Sequence, residues 1–157
     1  MAMTANRPVG EIPSSAADRC FIDMKAGTIY VGSMVAVDDL TPGFAEEAGA
    51  VAASTVIGVL KYGCRSEAIA ANDGDIRIQV DTGVFGPFKN SAGPDLLTSD
   101  HVLDVCWCVQ GDTAAKTDGG GTRPPAGFVA RVDDEGVWID FTRAAELKLL
   151  RVKAVIP

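Results

Sequence analysis

The sequence predicts a mainly β fold: a small antiparallel barrel or sandwich domain with an extended N-terminal arm and at most short helical turns. Three observations carry this. Ile76, Ile78 and Val80 alternate with Arg77, Gln79 and Asp81, a period of two that sets one side of a strand on a core and the other in water. Seventeen glycines and eight prolines cut the chain into short pieces, as when many turns join short strands. No stretch carries the long 3.6-residue apolar period of an amphipathic helix, which argues against a parallel α/β sheet. With 157 residues, 47% of them apolar, the chain is long enough for one domain with its own core and short for two.

Residues 1–20 contain Pro8 and Pro13 among small and polar side chains and read as an extended arm. Residues 21–142 read as the β domain. Its first strand is Thr28–Val37, with Gly32 as a bulge or bend, closed by the turn DDLTPG. Residues 44–55 mix helix formers with Gly49 and read as a loop with some strand character. Val56–Tyr62 is strand-like, and Asn72-Asp73-Gly74-Asp75 is a turn. After the alternating strand, Val84, Phe85 and Phe88 continue past Gly83 and Gly86, and Thr98 to Asp100 caps a short helical turn. Val105, Trp107 and Val109 face one way and Cys106 and Cys108 the other, so that strand is covered on both sides. GFVARV and VWIDF form a hairpin around DDEG. Residues 143–157 form a C-terminal extension: a helical turn around AAELKLL, then an extended VKAVIP. The expected core is Ile76, Ile78, Val80, Trp107, Val109, Phe128, Val137 and Ile139.

Charge and motifs narrow the function. A net charge of −7 and a pI near 4.6, with no cluster of Lys and Arg, argue against nucleic-acid binding. No apolar run spans a bilayer, and MAMTANRPVGEIPSS has no secretory apolar core, so a non-membrane protein made in a cytoplasm is expected. Cys20, Cys64, Cys106 and Cys108 are expected to be reduced, and Cys106 and Cys108, two apart, to be small, buried side chains rather than a metal or redox pair. The one histidine, His101, lacks a placed nucleophile and orienting acid, Asp100 being its immediate neighbour. Ser33 in VGSMV lacks the second glycine and the helix of a nucleophile elbow. Zinc-type spacings are absent, and NDGD lacks the rest of a calcium loop. The glycine run in AKTDGGGTRPPAG leads to two prolines and a strand, unlike a phosphate-binding loop. The expectation is no enzyme and no cofactor or metal.

The order of pieces carries a resemblance. TIYVGSMVAVDD, TVIGVLKYG, GDIRIQVDTGVFGPFKNSAG, LLTSDHV and AAKTDGGGTRPPAGFVARVDDEGVWIDF resemble, in that order, the capsid decoration or cement proteins of tailed phages. The most specific part is TDGGGTRP, then AG, then the hairpin ending in GVWIDF. The likeness covers about residues 26–141 and departs after Asp100, where the family carries a glycine and an aromatic-rich strand and this chain has HVLDVCWCV. The resemblance implies a β-barrel or β-tulip domain on the outer surface of the virion head, bound to the major capsid protein as a homotrimer or dimer and bridging capsid subunits, with no catalytic residues. Pro8, Val9, Ile12 and Pro13 of the arm are the candidate partner contacts. A non-catalytic recognition module, carbohydrate-binding or tail-associated, is the alternative. It would show aromatic side chains together on one face, whereas Trp107 and Trp138 occupy strand positions that read as buried.

Overall fold

A computed structural model describes residues 10–11, 18–49, 51–60 and 67–155. The fold is mainly β, 51% strand and 10% helix, within the helix content the sequence allows. The first half of the chain supplies β1 (Gly10–Glu11), β2 (Asp18–Met24), β3 (Gly27–Ile29), β4 (Met34–Asp38), β5 (Phe44–Glu47), β6 (Ser54–Val59) and β7 (Ala68–Ala70). The second half supplies β8 (Arg77–Thr82), β9 (Val84–Asn90), β10 (Val105–Gln110), β11 (Thr113–Ala115), β12 (Pro125–Asp133), β13 (Gly136–Asp140) and one helix, α1 (Ala144–Val155). Two 3-10 turns, Gly93–Asp95 and Ser99–His101, lie between β9 and β10.

The strands form two closed circuits. In the first, β2, β5, β4, β6 and β8 make a closed barrel. In the second, β9, β11, β10, β12 and β13 run in order, and the pairing of β13 back onto β9 joins the ends. β1 is added to β9, with Gly10 opposite Gly86 and Glu11 opposite Phe85. β3 and β7 pair separately. Closing both circuits leaves few free strand edges, the usual means of keeping β domains from pairing with one another.

β4 is shared between two cores because its side chains alternate. Val35 points into the barrel with Met24, Ile29, Ala45, Leu60, Ile78 and Val80. Met34 and Ala36 point the other way, into a core with Phe85, Phe88, Val129, Val137, Ile139 and Phe141. The chain passes from β8 in the barrel to β9 in the second circuit at Gly83.

Several elements differ from the sequence reading. The expected strand Thr28–Val37 is two strands, split where Gly32 takes φ +84° and Ser33 N–H donates to Tyr30 O. The chain read as an arm already contributes β1 and the start of β2, where Asp18 to Cys20 pair with Thr82 to Val80. Residues 44–47 form β5 because they fit between β2 and β4. The C-terminal extension is helical through Val155 rather than turning extended after AAELKLL. Of the expected core, Ile78, Val80, Val137 and Ile139 are buried. Ile76, Trp107, Val109 and Phe128 are only half-buried. On β10 the two cysteines face the core instead, because that interior already holds three phenylalanine rings and accepts small side chains.

Candidate functional site

Pro8, Val9, Ile12 and Pro13 lie outside the described residues. Between them, β1 fixes the path of the N-terminal chain over Gly86, a position with no room for a side chain: a Cβ there would lie 2.9 Å from Val137 O and 3.0 Å from the Trp138 ring.

The lone histidine is used structurally. His101 Nδ1 accepts from the Thr98 backbone N–H at 2.9 Å and lies 3.0 Å from Thr98 Oγ1, closing a capping box around the second 3-10 turn. The lone pair a general base would use is engaged by the backbone. The carboxylates of NDGD are engaged in the same way: Asp75 Oδ2 accepts from Asn72 N–H at 2.8 Å, and Asp73 Oδ1 from Ala26 N–H at 2.8 Å. Among the described residues, no group of three or more His, Cys, Asp or Glu side chains could hold a metal ion, and no helix is long and apolar enough to cross a membrane.

The cysteines divide into two kinds. Cys64 is outside the described residues, and Cys20 is exposed. Cys106 and Cys108 are buried, with Sγ donating to Gly127 O at 3.5 Å and to Gln110 O at 3.4 Å. Burial pushes the Cys106 thiol up to about 12. Burial raises Cys108 further, with added repulsion from Cys106, Glu47 and Asp112. Both therefore stay thiols, poor nucleophiles and poor ligands. Iodoacetamide at pH 8 is expected to alkylate Cys20 in the native protein and to leave Cys106 and Cys108 unmodified until denaturant is added. Peptide mapping that finds either one carbamidomethylated under native conditions contradicts this burial.

A polar cluster missed by the sequence joins the two circuits. Ser33, fully buried ahead of β4, donates to Glu47 Oε1 of β5 at 2.9 Å. Asp112, buried in the turn between β10 and β11, accepts from Gln110 Nε2 at 3.0 Å and Thr113 Oγ1 at 2.8 Å and pairs with Lys89 Nζ at 2.7 Å. Gly111 lets this turn approach: a side chain there would run into Ser33 Oγ and Glu47 Oε1. Burial alone would raise the Asp112 carboxyl. Hydrogen bonds from Lys89, Thr113 and Gln110, with the Lys89 charge, outweigh it and hold the group below its ordinary value. Glu47 has no such cation. Burial and the nearby Asp112 carboxylate push it up, and the Ser33 hydroxyl offsets part of this.

The raised Glu47 value has a definite sign. The folded chain holds this proton more tightly than the unfolded chain, so the gain in stability is complete at acid pH and is lost as pH rises through the folded value. Glu47→Gln keeps a carbonyl acceptor for Ser33 and removes the charge. It is expected to raise the Tm at pH 7, with the gain vanishing toward pH 4. A variant that is less stable at pH 7 would mean the ionised carboxylate is favourable where it stands.

The connection from β9 to β10 presents the other distinctive surface. Its first 3-10 turn is tied to the glycine loop by Asp95, which accepts from Thr117 Oγ1 and pairs with Arg123 at 3.0 Å. Further along, Val102 and Leu103 are exposed, Leu103 to 77% of its surface. Leu103 is the one non-glycine with positive φ, +74°, among the described residues. The signal in the sequence was faint: two apolar residues between Asp100 and Asp104 in a loop. No family model, curated protein or solved structure matches this chain.

Proposed function

We propose that this chain is a capsid decoration protein, a non-enzymatic β domain that binds the outer surface of an expanded tailed-phage head through the major capsid protein. It binds there as a homotrimer or dimer and bridges capsid subunits. The observation that carries the reading is where the resembling pieces fall. TIYVGSMVAVDD holds β4 and the end of β3, and GDIRIQVDTGVFGPFKNSAG holds β8 and β9. The most specific piece, AAKTDGGGTRPPAGFVARVDDEGVWIDF, runs from β11 through the glycine loop into the β12–β13 hairpin. The resembling pieces therefore hold β4, β8 and most of β6 in the barrel and β9, β12, β13 and most of β11 in the second circuit, and leave out β2, β5 and β10. Two further features favour it. The two closed circuits share β4 between their cores and so form one connected body. A terminal segment anchored at β1 ties the arm to that body. A ligand that binds only the assembled shell stabilises it by linkage, and many copies per particle multiply the effect.

The test mixes the purified protein with undecorated, expanded tailed-phage heads. The protein is expected to co-sediment with them at saturating stoichiometry and to raise their disruption temperature. Absence of binding at tens of micromolar would overturn the reading. The same assay weighs the arm. Because β2 begins at Asp18, the informative truncation removes residues 1–17 and leaves the barrel strand whole. It is expected to keep the β circular dichroism spectrum and to weaken head binding about tenfold, on the order of 1.4 kcal/mol. Undiminished binding would place the attachment on the β domain alone.

A further inference from the structure

We propose that Val102 and Leu103 form a preorganised apolar knob that docks into an apolar pocket rimmed by Lys or Arg on the outer surface of the capsid protein. The inference rests on the decoration reading above and names the surface that makes the contact.

Leucine favours neither this backbone conformation nor this exposure. At φ +74° the Cβ crowds the neighbouring carbonyl, and glycine or asparagine relieves the crowding. Strain of this kind is kept where the surroundings hold it in place, and here they do. Leu103 N–H donates to Val129 O at 2.8 Å, Val129 N–H to Asp104 O at 2.9 Å, and Asp104 N–H to His101 O at 2.9 Å. The loop is thus stitched to β12 on one side and to the capped 3-10 turn on the other. The Leu103 side chain gains little from the fold in return, being 77% exposed, and Val102 beside it is 40% exposed. A residue that strains the backbone and leaves its apolar surface in water serves a contact outside the domain. Rigid display lowers the entropy lost on binding.

Charge selects the occupant. Asp100 and Asp104 flank the pair, both are exposed, and neither makes an ion pair among the described residues. The chain as a whole carries −7. A second copy would bring the same carboxylates against these and be repelled. A basic rim around an apolar pocket complements both the knob and its flanks.

The test measures binding to the same expanded heads by sedimentation at several salt concentrations. Leu103→Gly and Leu103→Asn are expected to melt at or above the wild-type temperature and to bind heads at least tenfold more weakly. Asp100→Asn with Asp104→Asn is expected to weaken binding and flatten its salt dependence. If wild-type protein binds heads and both Leu103 variants bind equally well, the knob is not the contact. If both variants melt lower, the side chain belongs to the fold and the inference is overturned. If wild-type protein itself fails to bind, the functional reading falls, and this partner with it.

Discussion

Ile78→Asp is expected to lower the melting temperature of the protein sharply. Ile78 lies on β8 opposite Ile22 of β2, and its side chain is buried in the barrel core with Met24, Val35, Ala45, Leu60 and Val80. A carboxylate there has no cation or donor to meet it. It must either desolvate as an ion or take up a proton, at a cost of about 4 kcal/mol or more once the lost apolar contacts are included. That is a large part of the stability of a typical domain. One residue earlier, Arg77→Ser removes only an exposed ion pair with Asp23 and is expected to leave the melting temperature nearly unchanged. The contrast between adjacent positions tests the alternation itself. Equal melting temperatures for the two variants would mean that β8 faces the other way.

Period two was legible where polarity alternates sharply, as along Arg77, Ile78, Gln79 and Val80 of β8. It failed where both faces lean apolar. In VCWCV nothing local says which set turns inward, and the answer comes from Phe85, Phe88 and Phe141, which fill the interior from elsewhere in the chain. β2 was obscured differently. Phe21 is exposed while Ile22 and Met24 turn inward, so the most hydrophobic-looking residue points away from the core. The helical reading of AAELKLL was right about type and short in extent. RVKAV carries nothing that stops a helix, whereas Pro157 just beyond it does.

The candidate sites were less legible, for reasons of distance. Ser33, Glu47 and Asp112 are spread over some eighty positions and meet only because the two circuits pack together. No short motif records that. The positive φ of Leu103 is set by hydrogen bonds to β12, against leucine's own preference, so propensity points away from it. The short turn capped at Thr98 was legible, but the part of His101 in closing its capping box was not.

The seam of the barrel gives the last expected result. β6 pairs with β4 through most of its length but meets β8 at one ladder position, Val59 opposite Asp81. A register shift between Val35 and Ala36 skips Ile57, a bulge after which Gly58 and Val59 stay paired with Val35 and Met34 while Val59 also meets β8. Gly58 directly follows that bulge. A Cβ there would run into the backbone oxygen of Asp81 and lie 2.9 Å from Val80 Cγ1. The obstructing oxygen belongs to the strand that must approach for the barrel to close, so it cannot move aside as a side-chain tip would. Gly58→Ala is therefore expected to cost about 3 kcal/mol, seen as a Tm lowered by roughly 10 °C. Gly49→Ala is the control, since a Cβ at Gly49 meets nothing within 4 Å and no positive φ constrains it. That variant is expected to match or slightly exceed the wild type, because alanine narrows the unfolded ensemble. A Gly58→Ala protein that melts with the Gly49→Ala protein would mean that β6 and β8 do not approach closely and that the barrel is open at this seam.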